Sequence, residues 1–134
     1  MTSLLSHEYI TETTISFTQA FNENNLDMVM SYFAEAGSIY DQFDGTRAEG
    51  LADIRKALVP QFRGDFGLMQ FLEEEMFCDA QNMKSLIAWT CSLKTSKGPG
   101  HWRGLDILHF NKQGKILIKK TYAKAASLKI ISEV

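Results

Sequence analysis

The segment HWRGLDILHF, residues 101–110, decides the fold class of this chain. Alternate residues of an extended strand point to opposite faces of a sheet. One face then carries Trp102, Gly104, Asp106, Leu108 and Phe110, and the other carries Arg103, Leu105, Ile107 and His109. Because both faces are largely apolar, the pattern predicts a strand covered by helices on one side and by a second subunit on the other. We therefore expect a homodimer through the open face of a sheet.

Three more β-rich segments surround this strand, at residues 68–78, 84–97 and 115–125. The turns predicted between them are Asp79-Ala80-Gln81-Asn82, Gly98-Pro99-Gly100 and Asn111-Lys112-Gln113-Gly114. Connections this short require antiparallel neighbours. The second half of the chain is therefore expected to form an antiparallel meander.

The first half shows helical spacing instead. Predicted helices cover residues 6–24, residues 26–35 and a segment that starts at Leu51, and Pro60 is expected to end the third. A short strand is expected at residues 38–41, followed by a turn at Phe43-Asp44-Gly45. This order predicts an α+β fold in which the helices cover one face of a curved sheet.

The composition of the chain limits the classes of function that it can have. The 134 residues, 45% of them hydrophobic, suit one domain spanning residues 1–134. A net charge of -2 does not favour nucleic acid or an anionic membrane, and no apolar stretch approaches the ~20 residues that cross a bilayer. We expect a soluble, cytoplasmic protein with reduced cysteines. The three histidines lack the spacing of a metal site, so no metal is expected.

Two aspartates are the candidate chemical groups. Asp41 follows a short apolar run, and its carboxylate is either a general base made more basic by its surroundings or a cap on the turn after it. Asp106 lies inside a strand, where a lone buried charge is costly. It is either a functional carboxyl group or half of an ion pair, facing Lys119 across a four-residue loop or Lys120 after a slip of one residue. In an ion pair, Asp106 stays ionised and donates poorly.

The order of these elements resembles the nuclear transport factor 2-like superfamily, and most closely its ketosteroid isomerases and SnoaL-like polyketide cyclases. The segments that carry the resemblance are Ser38-Ile39-Tyr40-Asp41, Phe43-Asp44-Gly45, Gly50-Leu51-Ala52-Asp53-Ile54, Leu105-Asp106-Ile107-Leu108-His109-Phe110 and Gln113-Gly114-Lys115-Ile116. The resemblance covers residues 8–125. It implies a cystatin-like, cone-shaped barrel in which three N-terminal helices close a strongly bent, mostly antiparallel sheet over an apolar pocket.

Asp41 matches the general base of the isomerases, and Asp106 matches the protonated aspartate of their oxyanion hole. Phe17 stands where those enzymes carry the oxyanion-hole tyrosine, and Phe33 and Leu58 replace two supporting tyrosines. Loss of a principal oxyanion donor costs ~100-fold to ~1000-fold in rate. The resemblance therefore favours the SnoaL-like cyclases, which rely on a carboxylate and on shaping of the substrate.

These observations predict a cofactor-independent isomerase or cyclase that acts on a small hydrophobic carbonyl compound. In this scheme Asp41 takes the proton and Asp106 donates to the enolate oxygen. The side chains expected to contact the substrate are Phe17, Phe33, Tyr40, Phe43, Leu58, Phe62, Trp102, Lys119 and Tyr122. Aromatic side chains also fill ordinary cores, so two alternatives stay open: a non-catalytic protein that binds a hydrophobic ligand, and a dimeric scaffold with a filled pocket.

Overall fold

A computed structural model describes residues 4–65, 67–95 and 98–124. These described residues form three helices and six strands. They are α1 (His7–Asn22), α2 (Leu26–Ser31), β1 (Ile39–Asp41), β2 (Arg47–Glu49), α3 (Leu51–Arg63), β3 (Leu68–Asp79), β4 (Lys84–Thr95), β5 (Gly98–Phe110) and β6 (Ile116–Lys124). The strands form one sheet in the order β2-β1-β6-β5-β4-β3. Strand β1 runs parallel to β6, and the other neighbours are antiparallel. The predicted α+β class is confirmed, but the sheet is open, with β2 and β3 as its edges, instead of closing into a barrel.

Helix α1 is fixed to the sheet by both apolar and polar contacts. Ser6 caps it by accepting a hydrogen bond from the Tyr9 N–H, as the sequence predicts. The buried Thr14 hydroxyl donates to the carbonyl of Ile10 and lies 2.7 Å from the Ser85 hydroxyl on β4. The β-branched residues that weaken a helix by their restricted rotamers are thus used here for packing and hydrogen bonding.

The core under the helices is aromatic. Phe17 is fully buried, and its ring makes edge-to-face contacts with Phe21, Tyr32 and Phe33, with centroid separations of 5.2 to 5.6 Å. Such pairs add about 0.5–1.5 kcal/mol each to the burial of apolar area. The fold therefore uses Phe17 and Phe33 as core residues that join α1 to the segment following α2.

The second helix is shorter than predicted. It ends at Ser31 instead of residue 35, because the next residues join the sheet. Phe33 forms a parallel bridge with Ile116, while the Ile116 N–H donates to the Tyr32 carbonyl and the Ala34 N–H donates to the Ile116 carbonyl. Those pairings to β6 replace the hydrogen bonds of a further helical turn.

Pro60 does not end α3, contrary to the prediction. The helix continues to Arg63 and stops at Gly64, which has a positive φ of 90°. A proline in the last turn removes only one intrahelical hydrogen bond. The helix end is closed by the Gly64 N–H, which bonds the Gln61 carbonyl, and by the Asp65 N–H, which bonds the Pro60 carbonyl. Residues beyond proline thus satisfy the last carbonyl groups.

The strands β3 to β6 are predicted well, but one connection and the short strand β2 are not. Gly98-Pro99-Gly100 belongs to β5, where Gly98 pairs with Thr95 and Gly100 with Leu93, so the predicted turn is wrong. Strand β2 was not predicted at all, because three residues with two charges show no clear alternation. The predicted strand ends at residues 96–97 and 125 lie outside the described residues.

The register between β5 and β6 also differs from the prediction. Asp106 faces Thr121, and Lys119 faces Leu108. One extra residue in the loop and one in a bulge next to Phe110 move the partner strand by two positions. A shift of two keeps every side chain on its face. Lys119 therefore stays on the same side of the sheet as Asp106, as a diagonal neighbour.

The outer face of the sheet is open to solvent in the single chain. Exposed side chains on this face include Leu72, Phe77 and Tyr122. Among the described residues, no helix is long and apolar enough to cross a membrane.

Candidate functional site

A cavity of about 650 Å³ lies between the inner face of the sheet and the helices. This volume is within the range of small-molecule sites, roughly 300–1,000 Å³. Its aromatic lining consists of Phe21, Tyr40, Phe43, Phe71, Trp89 and Trp102. Its polar and charged lining residues are Thr18, Gln61, His101, Arg103, Asp106, Lys119, Thr121 and Lys124. Met69, Leu93 and Ala123 complete the lining, and most of the exposed surface of the cavity wall comes from apolar atoms.

Three polar side chains meet on the wall of this cavity. The Lys119 Nζ lies 3.3 Å from the Asp106 Oδ1 and donates to the Thr121 Oγ1 at 2.7 Å. Thr121 in turn donates to the Asp106 Oδ1 at 2.7 Å. The exposed fraction of the side chain is only 5% for Lys119 and 9% for Asp106. We name Asp106, Lys119 and Thr121 the polar triad.

Strand pairing explains how the triad forms. Asp106 on β5 and Thr121 on β6 are direct partners, and Lys119 is two residues from Thr121 on the same face. The ring of Tyr40, which pairs with Lys119 across β1 and β6, has its centroid 4.3 Å from the Lys119 Nζ. This distance suits a cation–π contact, so the ammonium is held by a carboxylate, a hydroxyl and an aromatic ring.

The second oxygen of Asp106 also has a partner. The buried Trp89 Nε1–H donates to the Asp106 Oδ2 at 3.2 Å. Asp106 therefore accepts a hydrogen bond on each oxygen in addition to its ion pair with Lys119. Both oxygens of Asp106 are thus engaged as acceptors, by donors from two neighbouring strands.

Lys119 remains an ammonium in this environment. Burial is the largest single influence and lowers the pKa of Lys119, but the charge of Asp106, the neighbouring Tyr40 and the hydrogen bonds to both together raise the pKa above its ordinary value. The cavity wall thus presents a carboxylate and an ammonium that balance each other.

Of the two roles considered for Asp106, the structure shows the ion pair. Its partner is Lys119, and Lys120 lies on the other face of the sheet. Asp41 is not among the residues that line the cavity. Tyr40 points into the cavity, and alternation along β1 directs the adjacent Asp41 to the opposite face, next to Arg47 and Lys120 in register. The structure therefore does not bring the two candidate carboxylates together.

The predicted contact residues divide into groups. Tyr40, Phe43, Trp102 and Lys119 line the cavity. Phe17, Phe33 and Leu58 lie in the core beside it, because the helices pack these side chains against one another. Phe62 lines an adjoining space of about 290 Å³, and Tyr122 points to the outer face of the sheet.

Sequence reasoning did not assign a site role to Thr121. The available signal was its spacing, since Lys119 and Thr121 alternate on one strand and share a face with Asp106 only in the correct register. Trp89 is both a core residue and part of the cavity wall, since it is 2% exposed and belongs to the lining.

Comparisons with known proteins agree with the fold. The family model of the SnoaL-like domain matches residues 15–118. A search of curated protein sequences found no match. Similar solved structures were found at low sequence identity, which shows the fold alone.

One similar structure is AusH from Aspergillus nidulans, with 15% identity and a TM-score of 0.78 over 92% of this chain and 89% of that one. Another is SalBIII, described as an epoxide hydrolase/cyclase-like enzyme in pyran ring formation in the polyether salinomycin. It is 13% identical, with a TM-score of 0.76 over 87% of this chain and 92% of that one. A third is a protein of unknown function with a cystatin-like fold from Methylobium petroleophilum. It is 18% identical, with a TM-score of 0.75 over 98% of this chain and 86% of that one.

Proposed function

Because this chain belongs to the SnoaL-like domain family, we propose that it is an enzyme that transfers a proton on a small hydrophobic carbonyl compound bound in the cavity. Asp106 takes the proton, and Lys119 donates a hydrogen bond to the carbonyl oxygen. The observation that carries this proposal is a buried charged pair in the wall of a mostly apolar cavity. A buried ion pair usually stabilises a fold no better than apolar residues of the same volume, so its place beside a cavity favours a functional role.

The chemical step uses groups already in place. A carbon–hydrogen bond next to the carbonyl breaks, the proton moves to an Asp106 oxygen, and the electron pair moves to the carbonyl oxygen. An ammonium has three N–H donors, and two of those of Lys119 are directed at Thr121 and Asp106. The third faces Tyr40, and it is the donor that we assign to the substrate oxygen, where it exchanges the ring contact for a hydrogen bond and stabilises the developing enolate. Return of the proton to another carbon gives an isomer. Attack of the enolate carbon on a second carbonyl carbon of the substrate gives a ring, as the π bond of that carbonyl breaks and its oxygen takes the proton back from Asp106.

This assignment differs from the one based on sequence. Asp41 was expected to be the base, and a neutral Asp106 was expected to be the hydrogen-bond donor. The proposal gives the base role to Asp106, because it lines the cavity, and the donor role to Lys119, because an ion-paired carboxylate has no proton to donate.

The test is hydrogen exchange at the activated CH₂ group of 2-tetralone, followed by proton NMR in deuterated buffer. The wild-type protein is expected to accelerate exchange over buffer, and Asp106→Asn is expected to lower the protein-catalysed rate ~100-fold or more. Asp53→Asn is a matched control, because Asp53 is exposed on α3. If Asp41→Asn abolishes exchange and Asp106→Asn does not, the base is Asp41 and the present assignment is wrong.

A second candidate function is ligand binding without catalysis. It is favoured by the hydrogen bonds of Trp89 and Thr121 to Asp106, which satisfy the carboxylate inside the protein. In this case 2-tetralone, or a related aromatic ketone, binds without accelerated exchange. Asp106→Asn then lowers the free energy of unfolding and leaves the affinity for the ketone nearly unchanged.

We also propose that two copies associate through the outer face of the sheet. Leu72, Phe77 and Tyr122 are 71%, 63% and 54% exposed, and the strand register, with a bulge between Glu73 and Glu75 on β3, places them on the same open face. Sedimentation velocity should show a dimer for the wild type and a monomer for Phe77→Glu. A monomeric wild-type protein at tens of micromolar would contradict this proposal.

A further inference from the structure

We propose that Trp89 and Gly104 together are positioning residues, which hold the Asp106 carboxylate in its orientation at the cavity wall. This inference rests on the proposed function, in which Asp106 acts in the cavity. Its basis is the close approach of the Trp89 ring to the backbone of Gly104, combined with the hydrogen bond from the Trp89 indole to Asp106.

The strand register explains why the indole can reach Asp106. Trp89 on β4 is paired with Gly104 on β5, while Asp106 is paired with Ile87. The indole must therefore cross the backbone of β5 at Gly104 to reach a carboxylate two residues further along the strand. A glycine in a strand commonly marks such a close approach.

No larger residue fits at position 104 without movement. A Cβ atom there would lie 2.6 Å from the Cη2 and 3.0 Å from the Cζ3 of Trp89, and 2.5 Å from the carbonyl oxygen of Tyr122. Both contacts are too short for a real Cβ atom, so the indole and the backbone of β6 would both have to shift relative to β5. Both shifts affect the triad, because Trp89 donates to Asp106 and because β6 carries Lys119 and Thr121.

The indole has little freedom to move aside. Its ring meets Phe71 edge to face at a centroid distance of 4.9 Å and Trp102 at 5.1 Å, and the side chain is 2% exposed. Trp89 thus fixes the Asp106 Oδ2 from one side, while Thr121 fixes the Oδ1 from the other. Two donors on different oxygens set the plane of the carboxylate, and a base displaced by even about 1 Å can lose 100-fold in rate.

The first experiment detects the hydrogen bond directly. The chain has two tryptophans, so a nitrogen-15 spectrum contains two indole N–H signals, and Trp102→Phe assigns them. We expect the Trp89 signal to lie downfield and to move upfield in Asp106→Asn, since hydrogen bonds to a charged acceptor are stronger than those to a neutral one. A Trp89 signal that does not respond to Asp106→Asn would overturn the inference, whether or not the protein is catalytic.

The second experiment measures the effect on exchange of 2-tetralone. Trp89→Phe keeps an aromatic ring but removes the N–H, and we expect the catalysed rate to fall at least tenfold with a similar affinity for the ketone. The catalysed rate should fall by a similar factor in Gly104→Ala. In the double variant with Trp89→Phe, the total loss of rate should be much smaller than the product of the two single losses. Gly100→Ala is the matched control, because it lies on the same strand and a Cβ there has no atom within 4 Å.

The outcomes separate this inference from the proposed function. If Asp106→Asn abolishes exchange but Trp89→Phe retains the wild-type rate, Asp106 is the base and the positioning role is wrong. If the wild-type protein does not accelerate exchange, the proposed function fails, and the response of the indole signal alone decides whether Trp89 holds the carboxylate. If Gly104→Ala does not fold, the exchange rate of Trp89→Phe and the nitrogen-15 indole signals still decide whether Trp89 positions the carboxylate.

Discussion

Replacing Lys119 by methionine should destabilise the protein strongly, because it leaves the Asp106 carboxylate buried without its counter-ion. Removal of one partner of a buried pair generally costs about 3–5 kcal/mol. Here Thr121 and Trp89 continue to donate to Asp106, so we expect the lower end, about 3 kcal/mol. Methionine replaces the aliphatic part of the buried lysine, so little of this loss comes from packing.

A loss of about 3 kcal/mol is large against a total stability of roughly 5–15 kcal/mol. For a chain of this length it corresponds to a fall in melting temperature of roughly 10 °C. Urea denaturation followed by circular dichroism measures the change, provided that the dependence on urea concentration stays similar in the two proteins.

Two further variants make the prediction specific to the pair. Arg55→Met breaks the ion pair of Arg55 with Asp27, whose side chains are 47% and 83% exposed, and should cost less than about 1 kcal/mol. The double variant Lys119→Met with Asp106→Asn removes both charges and keeps an oxygen acceptor for Trp89. It should therefore be more stable than Lys119→Met alone. A loss below about 1 kcal/mol for Lys119→Met, or a double variant less stable than the single one, would refute the reasoning.

Two other predictions follow from side chains away from the triad. Burial raises the pKa of the Cys91 thiol to about 11, so native protein at pH 8 should react with Ellman's reagent at Cys78 only, and Cys78→Ser should leave almost no reactive thiol until urea is added. Burial, with the charges of Lys120 and Lys84, lowers the pKa of His109 below 6.5. The unfolded chain then binds the proton more readily, so the contribution of His109 is present above pH 6.5 and is lost as the pH falls through its folded value. His109→Gln should reduce the loss in urea midpoint between pH 7.5 and pH 5, and an unchanged pH dependence would contradict this assignment.

Local patterns predicted much of this fold because they depend on near neighbours. Helical spacing located α1, and alternation in residues 101–110 correctly separated the two faces of β5. The end of α3 was missed because proline is tolerated in a last turn that a following glycine closes. The end of α2 was missed because pairing of Phe33 with Ile116 is a contact between distant parts of the chain.

The site was harder to predict for two reasons. It depends on the register between β5 and β6, and on which residues of the very short strand β1 face the cavity. Tyr40 and Asp41 are adjacent, so only one of them can face the cavity, and a three-residue strand has too few positions for alternation to show which. Lys119 was correctly considered as a partner of Asp106 although the register was wrong, because a shift of two residues preserves the face. A shift of one would have placed Lys120 there instead.

The place of the cavity on the sheet follows from where the helical side chains stop covering the inner face. Leu108, Phe110 and Ile116 belong to the core under α1 and α2. Further along the same faces of β5 and β6, Asp106, Lys119 and Thr121 border the cavity. Alternation alone cannot predict this change from core to site, because Asp106, Leu108 and Phe110 occupy equivalent alternate positions on β5. What distinguishes them is chemistry, since an aspartate and a lysine replace apolar residues at the point where packing ends and a ligand has room to bind. The triad is therefore the part of the inner face that core packing does not explain, and the variants of Asp106 and Lys119 test that part directly.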